Sequence, residues 1–197
     1  MAVNLVVFVS GNGTNLEQII KHFYSSEKVS VSMVLSNNPR AYALVRAAKY
    51  GIPTEILKKK DINDPDIILP LLKKYNTDFI VLAGFLLMVP HFVIEEYHRR
   101  IINLHPALLP KFGGIGMYGH HVHEAVKAAG EKQTGFTVHY VSSVCDGGEI
   151  IEQRKVNILP EDTVEDIAYK ENQLELKEFP AIIEKIINDT FYDTICS

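Results

Sequence analysis

The sequence predicts an α/β fold: a doubly wound, mostly parallel sheet that ends in an antiparallel C-terminal extension. Three observations lead there. Short apolar runs alternate with segments of helical hydrophobic spacing through the first hundred residues, which calls for helices between successive parallel strands. The runs are continuous rather than alternating, as in strands covered on both faces. After residue 130 two strand-like runs follow one another with no helix between them, as in an antiparallel pair.

The elements follow in order. Residues 4–10 are an apolar run closed by Gly11-Asn12-Gly13, after which Leu16, Ile19, Ile20 and Phe23 keep the spacing of one helical face. A second run, 29–35, stops at Ser36-Asn37-Asn38-Pro39, and the alanine-rich residues 41–50 supply a helix that Gly51 closes. Residues 52–57 read as a third strand and the polar stretch 58–66 as a connection. Ile67, Ile68, Leu71, Leu72 and Tyr75 share a helical face, and 79–83 forms the fourth strand. A fifth strand at 100–104 delivers Asn103 and His105 at its carboxyl end, two residues apart and so on one side of the strand. Residues 119–129 read as a helix, 135–141 and 149–156 as the antiparallel pair, and 163–187 as a closing helix interrupted at Pro180.

Composition narrows the function classes. A chain of 197 residues, 47% of them hydrophobic, can bury the core of one domain, expected to span 1–197. With 24 acidic against 20 basic residues and a net charge of -4, it offers no basic surface for nucleic acid and favours small-molecule chemistry. Cys145 and Cys196 are too few for a disulfide framework and lack metal-site spacing, which fits a reducing, cytoplasmic setting. The N-terminus has no basic segment of a secretion signal, and the longest apolar run, 79–89, is far shorter than the ~20 residues that span a bilayer. No membrane partner is expected.

The loop Ser10-Gly11-Asn12-Gly13-Thr14-Asn15 joins the first strand to the first helix. Backbone N–H groups left free at a helix start, together with the helix dipole, favour an anion there, and Thr14 and Asn15 add side-chain donors. The loop lacks the third glycine of a dinucleotide site, because Leu16 stands there, and no Gly-Lys-Ser/Thr follows as in a P-loop. A phosphate is the expected ligand; the plainer alternative is a turn that only caps the helix.

Asn103-Leu104-His105-Pro106-Ala107-Leu108-Leu109-Pro110 ends a strand in a rigid, proline-bounded segment, and Asp146-Gly147-Gly148 places a carboxylate in a turn. These residue types suit acyl transfer: an amide to donate to an oxyanion, an imidazole to pass protons, and a carboxylate to hold that imidazole as imidazolium. An amine substrate attacks by itself, so no serine or cysteine nucleophile is required. The alternative is a structural histidine beside an ordinary hairpin turn.

The glycine loop, Leu82-Ala83-Gly84-Phe85, the Asn103–Lys111 segment and Val144-Cys145-Asp146-Gly147-Gly148 together resemble the phosphoribosylglycinamide formyltransferase family, in order and over nearly the whole chain. The resemblance implies a Rossmann-like formyltransferase domain, with 10-formyltetrahydrofolate as cosubstrate, glycinamide ribonucleotide as acceptor and no metal. It implies that His105 is the general acid, Asn103 stabilises the oxyanion and Asp146 raises the histidine's pKa. Gly13, Thr14 and Asn15 would hold the phosphate, and Asn172 and Glu175 would contact the ribonucleotide. Folate would lie against Leu86, Leu87, Met88 and Val89 and against Ser142, Ser143, Val144 and Cys145. A monomer or homodimer is compatible with this pattern.

The chain departs from that family in places. Leu86-Leu87-Met88 stands where a basic residue is common, and no arginine lies near Asp64. Phe112-Gly113-Gly114-Ile115-Gly116-Met117-Tyr118-Gly119 reads as a mobile loop beside the site. His120, His121, His123 and Glu124 suggest a metal cluster, but consecutive histidines on a helix point different ways, and Val122 and Val126 keep core spacing. Transfer-RNA and sugar formyltransferases and formyltetrahydrofolate deformylases share the His105 motif, but with an added domain for which this chain has no room. A non-catalytic nucleotide-phosphate sensor is the reading from a different class.

Overall fold

The computed structural model describes residues 2–192, and Cys196 lies outside them. The chain runs β1 (Val3–Val9), α1 (Thr14–Phe23), β2 (Val29–Ser36), α2 (Tyr42–Lys49), β3 (Thr54–Ile56), α3 (Lys59–Ile62), α4 (Pro65–Lys74) and β4 (Phe79–Leu82). It continues with α5 (His91–Glu96), β5 (Ile101–His105), α6 (His120–Ala128), β6 (Gln133–Tyr140), β7 (Ile150–Asn157) and α7 (Val164–Phe191). The seven strands form one sheet in the order β3-β2-β1-β4-β5-β6-β7. Strands β1 to β5 pair in parallel, and β6 and β7 add on antiparallel. The α/β, doubly wound sheet with its antiparallel extension is the architecture the sequence predicts.

Alternation along β1 divides the core. Leu5, Val7 and Val9 face a cluster with Leu16, Ile19, Phe79, Phe136 and the apolar side of α7, whereas Val6 and Phe8 face Met33, Ile68, Leu72 and Val93 on the other side. The chain leaves β1 for β2 on one side and returns to β4 on the other, so the crevice at the carboxyl ends of β1 and β4 is the topological switch point where such sheets bind ligands.

Four points differ from the sequence reading. Pro180 does not interrupt the last helix, which runs unbroken through it. The lost hydrogen bond and ring clash cost about 3 kcal/mol. Phe179, Ile183 and Ile187 are fully buried beside it, each contributing roughly 1.5–3 kcal/mol, so packing wins. The polar stretch 58–66 contains α3, whose Ile62 is buried in the second cluster. Helix α5 was not foreseen; its six residues are too few to show a periodic pattern. The third strand is also shorter than 52–57, because it lies at the sheet edge, pairs only with β2 and is preceded by Pro53.

The glycine loop is fixed from several sides. Gly13 has φ +74°, and a Cβ there would lie 2.5 Å from the Cβ of Ala43 on α2. Ala43 N–H donates to Gly11 O, and Arg46 Nε donates to Asn12 O. Glycine at 13 therefore lets α2 close over the loop. Replacing Gly13 with alanine is expected to lower unfolding free energy by about 1–3 kcal/mol in denaturant titration; a loss under about 0.5 kcal/mol would contradict this packing.

Candidate active site

The crevice holds a cavity of about 660 Å³. Its floor is the carboxyl end of β5, where Asn103 and His105 both line the space. β5 pairs with β6 so that Asn103 lies opposite His139 and His105 opposite Thr137. The turn between β6 and β7 brings Asp146 to the same cavity, 41 residues along the chain from His105. That turn is tight: Asp146 has φ +51°, and a Cβ on Gly148 would lie 1.7 Å from Tyr140 O. Only glycine at 148 lets the backbone approach so closely.

The three sequence-selected groups meet. His105 Nδ1 lies 3.5 Å from Asp146 Oδ2, and its Nε2 donates to Phe112 O at 2.8 Å. Asp146 Oδ2 also accepts from Gly114 N–H at 2.8 Å. Asn103 reaches Asp146 through a residue the sequence reading missed. Its Nδ2 donates to His139 Nε2 at 3.0 Å, and His139 Nδ1 donates to Tyr140 O at 2.9 Å, a tautomer assigned from these partners. His139 Nε2 stands 3.7 Å from Asp146 Oδ1. One N–H of the Asn103 amide is thereby committed, which orients the other.

Protonation departs from the expectation. The resemblance implied that Asp146 raises the histidine's pKa, yet burial outweighs it: desolvation pushes the His105 imidazole below its ordinary range, while Asp146 and the Phe112 carbonyl pull the other way. The ring is 3% exposed, so little water reaches it. For Asp146, burial acts to raise the carboxyl, but the His139 ring, the Gly114 N–H and the attraction of His105 when that ring is protonated hold it below the usual carboxylate value. The resting site pairs a neutral imidazole with an ionised carboxylate.

Asn15, Asn172 and Glu175 line the cavity, while Gly13 and Thr14 do not. No side chain caps α1, and its first helical hydrogen bond is Glu17 N–H to Gly13 O, so the amides of the first turn are open. The Asn15 side chain donates one N–H to Glu175 Oε2 at 2.7 Å, which leaves its second N–H and its backbone N–H as donors. Leu86, Leu87, Met88, Val89, Ser142, Val144 and Cys145 line the other end, and Ser143 is not among them. Residues 114–119 of the 112–119 loop line the cavity, with Ile115 96% exposed. Glu171 and His123, which the sequence reading did not select for the site, line the cavity too. Among the described residues no cluster of three or more His, Cys, Asp or Glu could hold a metal ion. No described helix is long and apolar enough to cross a membrane.

The sequence profile of the formyl transferase family matches residues 3–183. The chain belongs to the formyl transferase family. Among curated relatives of this formyl transferase, the phosphoribosylglycinamide formyltransferase of Haemophilus influenzae is 35% identical over 186 residues, covering 91% of this chain and 85% of that protein. The chloroplastic phosphoribosylglycinamide formyltransferase of Arabidopsis thaliana is 35% identical over 193 residues, covering 93% of this chain and 66% of that longer protein. The crystal structure of phosphoribosylglycinamide formyltransferase from Anaplasma phagocytophilum superposes with a TM-score of 0.87 at 37% identity, covering 96% of this chain and 88% of that one.

Two titrations test the site's electrostatics. Asp146 is the charged group that favours the His105 imidazolium, so Asp146→Asn is expected to move the His105 midpoint, followed by NMR, to still lower pH; an unchanged or higher midpoint would contradict it. The folded-state pKa of His105 lies below its ordinary 6.5. The neutral ring costs the fold nothing above that pH, and as pH falls toward the folded midpoint its protonation increasingly opposes folding. Asp146, with a folded pKa below 3.8, adds stability above that value and loses it as pH falls through the folded one.

Proposed function

We propose that this chain transfers the formyl group of 10-formyltetrahydrofolate to the amine of 5′-phosphoribosylglycinamide, giving formylglycinamide ribonucleotide and tetrahydrofolate, a step of de novo purine biosynthesis. The observation that carries this reading is the meeting of Asn103, His105 and Asp146 in one cavity beside the glycine loop. The 35% identity to a protein named phosphoribosylglycinamide formyltransferase supports the choice of substrates.

The ribonucleotide phosphate sits on the first-turn amides of α1 at Gly13, Thr14 and Asn15, while Asn172 and Glu175 contact the rest of the nucleotide. The folate lies between Leu86–Val89 and the 142–145 segment, an apolar slot for a flat heterocycle. The amine attacks the formyl carbon, and negative charge grows on the formyl oxygen. Asn103 donates its uncommitted N–H to that oxygen. The attacking nitrogen gains positive charge and must lose a proton, while the departing folate nitrogen must gain one. Neutral His105 takes the first proton, Asp146 stabilises the imidazolium so formed, and the ring passes a proton to the folate nitrogen. The C–N bond to folate then breaks, with no net change in protons on the enzyme. Alignment of two bound substrates supplies much of the acceleration. On this reading residues 1–197 work as a single cytoplasmic formyltransferase domain, monomeric or homodimeric, without metal, nucleic acid or membrane partner.

Incubation with both substrates, followed by release of tetrahydrofolate, tests the proposal. Asn103→Ala and His105→Ala are each expected to lower turnover by about 10²–10³ or more while leaving the folded state intact by circular dichroism. Normal turnover in both variants would reject the roles assigned to them. Ribonucleotide binding with no tetrahydrofolate released by the unsubstituted protein would favour a phosphate sensor instead.

A further inference from the structure

A row of side chains runs across three strands, outward from the candidate active site. Pairing sets His105 of β5 opposite Thr137 of β6, and Thr137 opposite Gln153 of β7, so the three project from one face of the sheet. His105 lines the substrate cavity, whereas Thr137 and Gln153 do not. Thr137 is fully buried. Its hydroxyl donates to Ala107 O at 2.6 Å and accepts from Leu109 N–H at 3.0 Å and from Gln153 Nε2 at 2.9 Å, which uses its one proton and both lone pairs. The second N–H of the Gln153 amide donates to Leu109 O at 2.9 Å.

These bonds grip a segment of chain that leaves His105 and returns to it. Ala107 N–H donates to His105 O at 2.9 Å, and at the far end Phe112 O accepts from the His105 imidazole at 2.8 Å. Between those ends, Thr137 and Gln153 hold the carbonyl of Ala107 and both backbone groups of Leu109. Pro110 and Lys111 then carry the chain to Phe112, whose φ of +56° is uncommon for a residue with a side chain and needs support from its surroundings. The Phe112 carbonyl fixes the ring proton on Nε2, which leaves Nδ1, on the side of Asp146, as the basic nitrogen. Gln153 therefore reaches the imidazole through a continuous chain of short bonds.

We propose that Gln153 is a positioning residue for formyl transfer: through Thr137 and Leu109 it holds the 106–112 segment so that the Phe112 carbonyl keeps His105 in its Nε2–H tautomer. The role in transfer rests on the formyltransferase reading above. Gln153 lies outside the cavity lining, so its effect falls on turnover rather than on substrate affinity. Asp146 from the β6–β7 turn and His139 from β6 also face the ring, and neither is bonded to Gln153.

Gln153→Met keeps the length of the side chain and removes both donors. It is expected to lower kcat about tenfold, the equivalent of one or two hydrogen bonds, with the KM of each substrate changed less than about twofold. Nitrogen NMR of the imidazole is expected to show His105 moving from the Nε2–H form to a mixture of tautomers, a change that loss of packing alone would not produce. Thr137→Val, which removes the linking hydroxyl at nearly constant volume, is expected to act in the same way, and Thr137→Ser to retain both turnover and tautomer. Gln153→Met combined with Thr137→Val is expected to be little worse than either alone, because both break one network. A folded Gln153→Met variant with normal kcat, or with lowered kcat and unaltered imidazole signals, would overturn the proposal. In the unsubstituted protein, with no variant needed, a neutral His105 protonated on Nδ1 or a Leu109 amide that exchanges its hydrogen without protection would overturn it too. Should the protein release no tetrahydrofolate, the formyl-transfer reading fails separately, and the imidazole and exchange measurements still decide whether Gln153 positions the ring.

Discussion

A single carboxylate in a tight turn holds this site together. Asp146, on backbone at φ +51°, meets the N–H of Gly114 and the rings of His105 and His139, so that three separate stretches of chain converge on its two oxygens. Each contact depends on something prior. The β5–β6 register sets His139 opposite Asn103, and the close approach of Gly148 to Tyr140 brings the turn over the strand ends. The Gly113-Gly114 segment folds back against the turn, where a Cβ on Gly113 would lie 2.5 Å from Leu109 and 3.4 Å from Asp146 Cβ. The sheet thus acts as a rigid frame that pays nothing at the moment of reaction for bringing these groups together.

Burial governs the protons at both ends of the cavity, with opposite results. His105 is a base, so desolvation lowers its proton affinity and leaves the ring neutral at rest; Glu171 and Glu175 are acids, so desolvation raises theirs. Among the described residues no lysine or arginine lines the space. The backbone amides at the start of α1 and the amide of Asn103 instead offer partial positive charge that needs no counterion. A neutral imidazole suits a reaction in which one nitrogen loses a proton and another gains one.

Much of this was legible in the sequence, for identifiable reasons. The apolar runs of β1, β2 and β4 are covered on both faces and so carry a plain signal, and Asn103 and His105 follow from two-residue alternation at a strand end. Asp146 was found from its turn and from resemblance, since nothing local says where a turn lands in space. His139 was missed because its role comes from the register of β5 against β6, a property of pairing rather than of either strand. Glu171 does carry a signal: it shares the four-residue spacing of Ile167 and Phe179, the buried face of α7. The direction of the His105 shift could not be read either, because it is set by how deeply the ring is covered. Pro180 reads as a breaker only when its cost is taken alone, and the burial of the apolar residues flanking it outweighs that cost.

The most direct measurement is a crystal structure with the ribonucleotide and an inert analogue of 10-formyltetrahydrofolate bound together. The substrate amine and the formyl-bearing position of the folate are expected between the amide of residue 103 and the imidazole of residue 105, with the phosphate on the first turn of the first helix. Ligands bound with their reactive atoms beyond contact of both side chains, or a phosphate held elsewhere, would contradict it.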